Sequence, residues 1–150
     1  MKHDMTSIKR EQILRMIPHA GDMCLLDEVL SWDEVSVRCL SRRYQDRGNP
    51  LRRADGTLGA ACGIEIAAQA MAVQGWLSAG DGGPARRGYL VSLRDVALRT
   101  GRLDAAGGDL IIEATRLMGD ASGAAYRFHL MRREAELLSG RATVVFEADA

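Results

Sequence analysis

The run Ala61-Cys-Gly-Ile-Glu-Ile-Ala-Ala-Gln-Ala-Met-Ala72 sets one carboxylate and one amide among small and apolar residues. Nothing else in the chain constrains its fold so much. Glu65 and Gln69 are four residues apart and therefore share one helix face, while Ile64, Ala67, Ala68, Met71, Ala72 and Trp76 occupy much of the rest. A helix apolar on most sides is a central one, buried nearly all round. A carboxylate in such a place is costly unless it is paired, hydrogen-bonded or functional, which makes Glu65 the first candidate for chemistry.

The chain has 150 residues, which predicts a single domain, 1–150, burying roughly two thirds of its unfolded surface. Lys+Arg and Asp+Glu each number 20, and with no net charge there is little to favour nucleic acid or a membrane surface as a partner. The N-terminus lacks an apolar signal core, and no run approaches the ~18 apolar residues of a membrane helix, so a soluble, cytoplasmic protein is expected. Cys24, Cys39 and Cys62 are odd in number and widely spaced. Neither a disulfide framework nor a metal site is expected from them.

Thr6 or Ser7 can cap a first helix with Ile13, Leu14 and Ile17 on its apolar side, stopped by Pro18. A mostly apolar strand is predicted from Met23 to Leu30, then a turn at Asp33-Glu34, then a half-buried strand with Val35, Val37 and Cys39 on one face. Asp46, Gly48, Asn49, Pro50, Asp55 and Gly56 break the pattern into a loop running to Thr57, and a loop so long is usually functional. Beyond the helix, Gly80-Asp-Gly-Gly-Pro84 reads as a loop. Tyr89-Leu-Val91, Leu110-Ile-Ile112, Tyr126/Phe128/Leu130 and Ala142/Val144/Phe146 mark further strands, with turns at Gly107-Gly108 and Ala121-Ser-Gly123. This order predicts an α+β protein in which an antiparallel sheet wraps around one long central helix, the hotdog fold.

Two segments also resemble a family. Ile17-Pro-His-Ala-Gly-Asp-Met-Cys-Leu-Leu-Asp-Glu-Val29 is similar to the segment that opens the FabZ-type 3-hydroxyacyl-[acyl-carrier-protein] dehydratases, and Gly63-Ile-Glu-Ile-Ala-Ala-Gln69 resembles their central helix. Gly88-Tyr-Leu-Val-Ser-Leu-Arg-Asp-Val96 resembles the segment after it, so the likeness runs in order through nearly the whole chain. The nearest branch is the dehydratase-like subunits of aryl-polyene pathways. The resemblance implies a substrate carried on the phosphopantetheine of acyl carrier protein, no other cofactor, and a homodimer or a heterodimer with another hotdog subunit. It also implies that a Glu near the helix start and a His in the preceding loop share the proton work, each from a different subunit.

The chemistry itself requires two acid/base groups, one to take a proton from the carbon beside the thioester carbonyl and one to give a proton to the departing hydroxyl. Pre-aimed donors must also meet the enolate oxygen, and the backbone N–H groups at the start of the helix, Ala60 and Ala61 through Gly63, are suited to that. Glu65 matches the family's Glu. The family's His position, however, is held by Asn49 in Gly48-Asn-Pro-Leu51, and an amide binds a hydroxyl or carbonyl but carries no proton near neutral pH. His19 is the candidate for the missing imidazole, and Gln69 for support of Glu65. Two alternatives stand beside the dehydratase: a non-catalytic acyl-binding subunit of a hotdog complex, and a thioesterase in which Glu65 activates water. Cys62, His129, Trp32, Trp76 and the loop arginines are expected to be packing or solvated surface. If the arginines cluster near a tunnel mouth, they suit the acidic surface and the phosphate of an acyl carrier protein.

Overall fold

Alternating apolar positions in the second half of the chain fold into four long strands: β4 (Gly88–Leu98), β5 (Leu110–Gly119), β6 (Gly123–Arg132) and β7 (Ala135–Phe146). The first half supplies β1 (Ile8–Lys9), α1 (Arg10–Ile13), β2 (Glu28–Trp32) and β3 (Ser36–Ser41), and the central helix α2 is Cys62–Ala79. These come from a computed structural model that describes residues 7–18, 21–80, 87–120 and 122–147. All seven strands form one antiparallel sheet in the order β1-β2-β3-β5-β6-β7-β4. The helix packs on β3, β5 and β6, and the sheet curves around it. The predicted hotdog architecture is therefore the one observed.

No residue of α2 from Cys62 to Ser78 is exposed, as its composition predicted. Ile66, Ala67, Ala70, Met71 and Val73 are at most 1% exposed and meet Ile112, Ala114, Tyr126, Phe128 and Leu130 in one core. Gly63 lets the start of the helix lie directly on the sheet, since a Cβ there would come within 2.5 Å of Leu138 and 3.1 Å of Leu130. Gly80, at φ 70°, ends the helix in the left-handed conformation that glycine adopts without penalty.

The chain's start differs from expectation. The first helix begins only at Arg10, after Lys9, whose N–H is met by the Gln12 side chain at 3.1 Å. Ser7 spends its hydroxyl on Glu28 at 2.9 Å, beside a Lys9–Glu28 ion pair, and Thr6 lies outside the described residues. The Met23–Leu30 run is a strand only from Glu28. Cys24, Leu25 and Leu26 are buried without a ladder, because side chains hold them: the Arg10 guanidinium donates to the carbonyls of Gly21 (2.7 Å), Cys24 (2.5 Å) and Leu26 (3.3 Å). The Asp33-Glu34 turn forms as predicted, with the Asp33 carboxylate accepting from the N–H groups of Val35 and Ser36 at 2.9 and 2.8 Å. Val35 itself sits in that turn and is exposed rather than on the buried face of β3. The β6–β7 turn uses Arg133 and Glu134 at φ 51° and 70°, residues that give no turn signal in sequence. Asp81–Pro84 and Ala121 lie outside the described residues.

Because Gly63 has no room above it, Gly63→Val should destabilise the protein by about 1–3 kcal/mol through overpacking, lowering Tm by roughly 2–12 °C in thermal unfolding.

Candidate active site

The four helix positions Glu65, Ala68, Ala72 and Gly75 follow one another at spacings of three and four, so they form one stripe along α2, and all are only half-buried. That stripe is the side of the helix the sheet does not seal. It opens on a cleft of about 110 Å³ whose helix wall is Glu65, Ala68 and Ala72. Gly88 and Leu90 of β4, Val144 and Phe146 of β7, and Pro18 complete the lining. Among these described lining residues Glu65 is the one ionisable side chain, and the others are apolar or small. A carboxylate facing a cleft lined mainly by apolar residues is an arrangement in which a carboxyl group can work on a bound substrate.

Gln69 is fully buried and committed to structure. Its Nε2 donates to the Met23 carbonyl at 2.7 Å and reaches Glu65 Oε1 at 3.4 Å, while its Oε1 accepts from the Leu25 N–H at 2.9 Å. It thus reaches Glu65 and also ties the helix to the segment after Pro18, which the sequence did not show. A second amide, Gln74, was missed in the sequence. It is also fully buried, donates to the Glu34 carbonyl at 2.9 Å, and accepts from the Tyr126 hydroxyl at 2.7 Å. Burial pushes the Tyr126 phenol up to about 12, with Arg116 opposing it. The signal for Gln74 was there: an amide on a helix apolar nearly all round needs buried partners as much as a carboxylate does.

The helix start supplies fewer free donors than its position suggests. The Ala60 N–H is taken by the Gly101 carbonyl at 3.1 Å. Those of Cys62, Gly63 and Ile64 close a tight turn onto Gly59, Ala60 and Ala61 at 3.1, 2.9 and 3.0 Å. Ala61 is left as the donor of the group without a backbone acceptor among the described residues.

The 42–61 segment is a built loop, not a slack one. Asn49 is 5% exposed and spends both ends of its amide inside the loop, donating to the Tyr44 carbonyl at 2.9 Å and accepting from the Leu51 N–H at 2.9 Å. Tyr44 in turn donates to the Gly108 carbonyl at 2.6 Å and accepts from the buried Arg132 at 3.1 Å. Arg52 spans the loop, bonding the carbonyls of Asp46, Gly56 and Gln45 and the Asp104 carboxylate at 3.2 Å. Hydrogen bonding by Arg102 holds Asp104 far below the usual carboxylate range. At the loop's entry, burial pushes the Asp27 carboxyl up, but the Arg42 and Arg43 N–H groups and the Arg43 guanidinium outweigh it and hold the group below that range.

His19 lies outside the described residues; its neighbour Pro18 lines the cleft with Glu65. Cys62 is half-buried, its Sγ 3.6 Å from the Leu51 carbonyl. His129 sits on the outer sheet face between Glu113 (3.5 Å) and Glu136 (3.4 Å), away from the residues that line the cleft. Among the described residues no group of His, Cys, Asp and Glu is arranged to hold a metal, and no helix is long and apolar enough to cross a membrane.

With this geometry in place, the comparisons with known proteins are specific. The model of the ApeP-like family, described as ApeP dehydratase, matches residues 11–150. The chain belongs to the ApeP-like dehydratase family. No curated protein sequence matches it. Among solved structures, a chain of the dehydratase heterocomplex ApeI:P from Xenorhabdus doucetiae superposes with a TM-score of 0.80 at 24% identity, covering 91% of each chain. A thioesterase from Haemophilus influenzae gives 0.64 at 11% identity, covering 96% of this chain and 93% of that one. The HP0420 homologue from Helicobacter felis gives 0.63 at 10% identity over 93% and 90%. At these identities the structural likeness establishes the hotdog fold, which hosts more than one reaction. The family match is what carries the dehydratase assignment.

Two outcomes follow from the loop. Asn49→Ala should cost about 1–3 kcal/mol in urea unfolding, because the buried Tyr44 carbonyl and the part-buried Leu51 N–H lose their partner. Asp27 contributes stability that is fully present above its unfolded pKa and is lost as pH falls through its lower folded value. Asp27→Asn should therefore weaken the protein at pH 7 and flatten the loss of stability below about pH 4, read by unfolding midpoints across pH.

Proposed function

We propose that the protein is a 3-hydroxyacyl-[acyl-carrier-protein] dehydratase subunit with Glu65 as its catalytic carboxyl group, working in the cytoplasm on chains held by carrier phosphopantetheine and without another cofactor. The observation that carries this reading is Glu65 as the ionisable side chain among the described residues of an otherwise apolar cleft in a member of a dehydratase family. Elimination takes a proton from the carbon beside the carbonyl, forms the double bond, breaks the C–O bond and releases the hydroxyl as water. Glu65 provides one of the two proton-handling groups. His19, next in sequence to Pro18 in the cleft wall, is the second candidate on this chain. The Ala61 N–H is suited to the enolate oxygen, since it is the donor at the helix start without a backbone acceptor among the described residues.

The assembly that completes the site is a pair of hotdog subunits joined through β4. This strand is eleven residues long, ends the sheet, and pairs only with β7 among the described strands. Tyr89, Val91, Leu93 and Leu98 are 40–57% exposed along it. A long apolar edge strand invites another strand, and Leu90 and Gly88 of this same edge wall the cleft. A second subunit paired there, another copy or a distinct hotdog chain, would stand over Glu65. That the similar Xenorhabdus doucetiae structure is a heterocomplex favours the distinct chain.

One observation favours a second reading, a supporting subunit that binds acyl chains while its partner does the chemistry. Asn49 stands where the FabZ-type pattern has its His, and its amide is spent inside the loop.

Single-turnover mass spectrometry with 3-hydroxyacyl-carrier protein separates these. Loss of about 18 mass units, reduced roughly 10²–10⁴-fold by Glu65→Gln, is the expected result, and a comparable loss in His19→Ala would identify the imidazole. Unchanged substrate with the chain alone but turnover on adding a hotdog partner, insensitive to Glu65→Gln, would establish the supporting subunit instead. Release of free acid would mean a thioesterase. The double variant Val91→Lys/Leu93→Lys should remain folded yet lose its partner strand, running as a monomer in native mass spectrometry.

A further inference from the structure

We infer that Phe146 is the end wall of the cleft and sets the length of acyl chain it accepts; this rests on the reading of the cleft as the acyl site. The cleft's floor has a direction. Glu65, Ala68 and Ala72 line it in turn, from the first turn of α2 toward its C-terminus, and the next residue of the stripe is Gly75. There the floor meets an obstacle, because a Cβ on Gly75 would lie 3.6 Å from the Phe146 ring. The same ring flanks the opposite wall, 3.5 Å from where a Cβ on Gly88 would stand. Phe146 therefore lies across the cleft from helix to edge strand, seated in the space two glycines leave. Its backbone is fixed, since its N–H donates to the Ser122 carbonyl at 2.9 Å and the residue pairs with Gly88 in the ladder. Ten helix residues from Glu65 to Gly75 rise about 15 Å, so a chain whose thioester end is at Glu65 runs over two alanines and stops against an aromatic face.

Beside the ring at Gly75 the surroundings become polar. The Tyr126 hydroxyl, bonded to Gln74, would lie 3.8 Å from a Cβ at Gly75. The end of the cleft thus borders a buried polar pair, and an alkyl chain gains by burial up to the ring.

The test is a binding ladder. Stable amide analogues of acyl-pantetheine, of increasing chain length, are titrated by calorimetry into the purified protein in its native assembly. Each methylene that enters the cleft should raise affinity about fourfold (~0.8 kcal/mol), and the rise should stop at the length that meets the ring. Phe146→Ala should move that stop to longer chains by roughly two to four methylenes, and Ala72→Leu, which fills the floor short of the ring, should move it to shorter ones. The two opposite shifts cannot both come from a damaged fold. An unchanged stopping length in both variants, or no dependence on chain length in the wild type, would overturn the inference. Dehydration that depends on Glu65 without any shift would leave the proposed activity standing and remove this assignment, whereas the shifts without dehydration would do the reverse.

Discussion

The structure depends on burying a helix that carries polar side chains. From Cys62 to Ser78 no residue of α2 is exposed, so its polar groups must find partners in the protein. Gln69 and Gln74 meet that demand on two sides, one bonded to the segment at Met23 and Leu25, the other to the β2–β3 turn and to Tyr126. The two amides fix both the height and the rotation of the helix over the sheet. Once the rotation is fixed, the residues left on the uncovered stripe are Glu65, Ala68 and Ala72.

The loop before the helix shows the same economy of polar groups. Arg132, Tyr44 and Asn49 form a chain of hydrogen bonds from the end of β6 into the loop, and Arg52 crosses it to reach Asp104. A loop that satisfies its own carbonyls in this way holds one conformation and positions Leu58 to Ala60 against residues 101–103. It also gives Asn49, which stands where the FabZ-type pattern has a His, a structural role. Its amide closes the turn between Tyr44 and Leu51, a role in which imidazole, with one acceptor and one donor on a rigid ring, is not an equivalent.

Much of this was legible before folding. The composition of residues 61–72 announced a central helix, alternation placed β3, β6 and β7 and an apolar run placed β5, and Glu65 stood out because a carboxylate in apolar surroundings has few innocent explanations. What failed to show were features held by side chains distant in sequence. The Cys24–Leu26 run read as strand because it is apolar, yet Arg10 and Gln69 hold it without a ladder. The free donors predicted at Ala60 to Gly63 are mostly consumed, since a tight first turn and the Gly101 carbonyl take them, which no local pattern reveals. The Arg133-Glu134 turn carried no glycine or asparagine, and its positive φ angles are imposed by the two long strands it joins.

By itself, then, the sequence determined what is decided by spacing along the chain: a buried helix, an antiparallel sheet, a carboxylate on one helix face and an amide four residues on. Tertiary structure decided what depends on groups far apart in sequence coming together. It made Asn49 a loop strut, left β4 as the open edge of the sheet, and brought Pro18, Glu65, Leu90 and Phe146 around one cleft. The physical reason is that periodicity selects which face of an element is buried, while the partner that buries it, and the gap left where none does, are set only when the sheet closes on the helix.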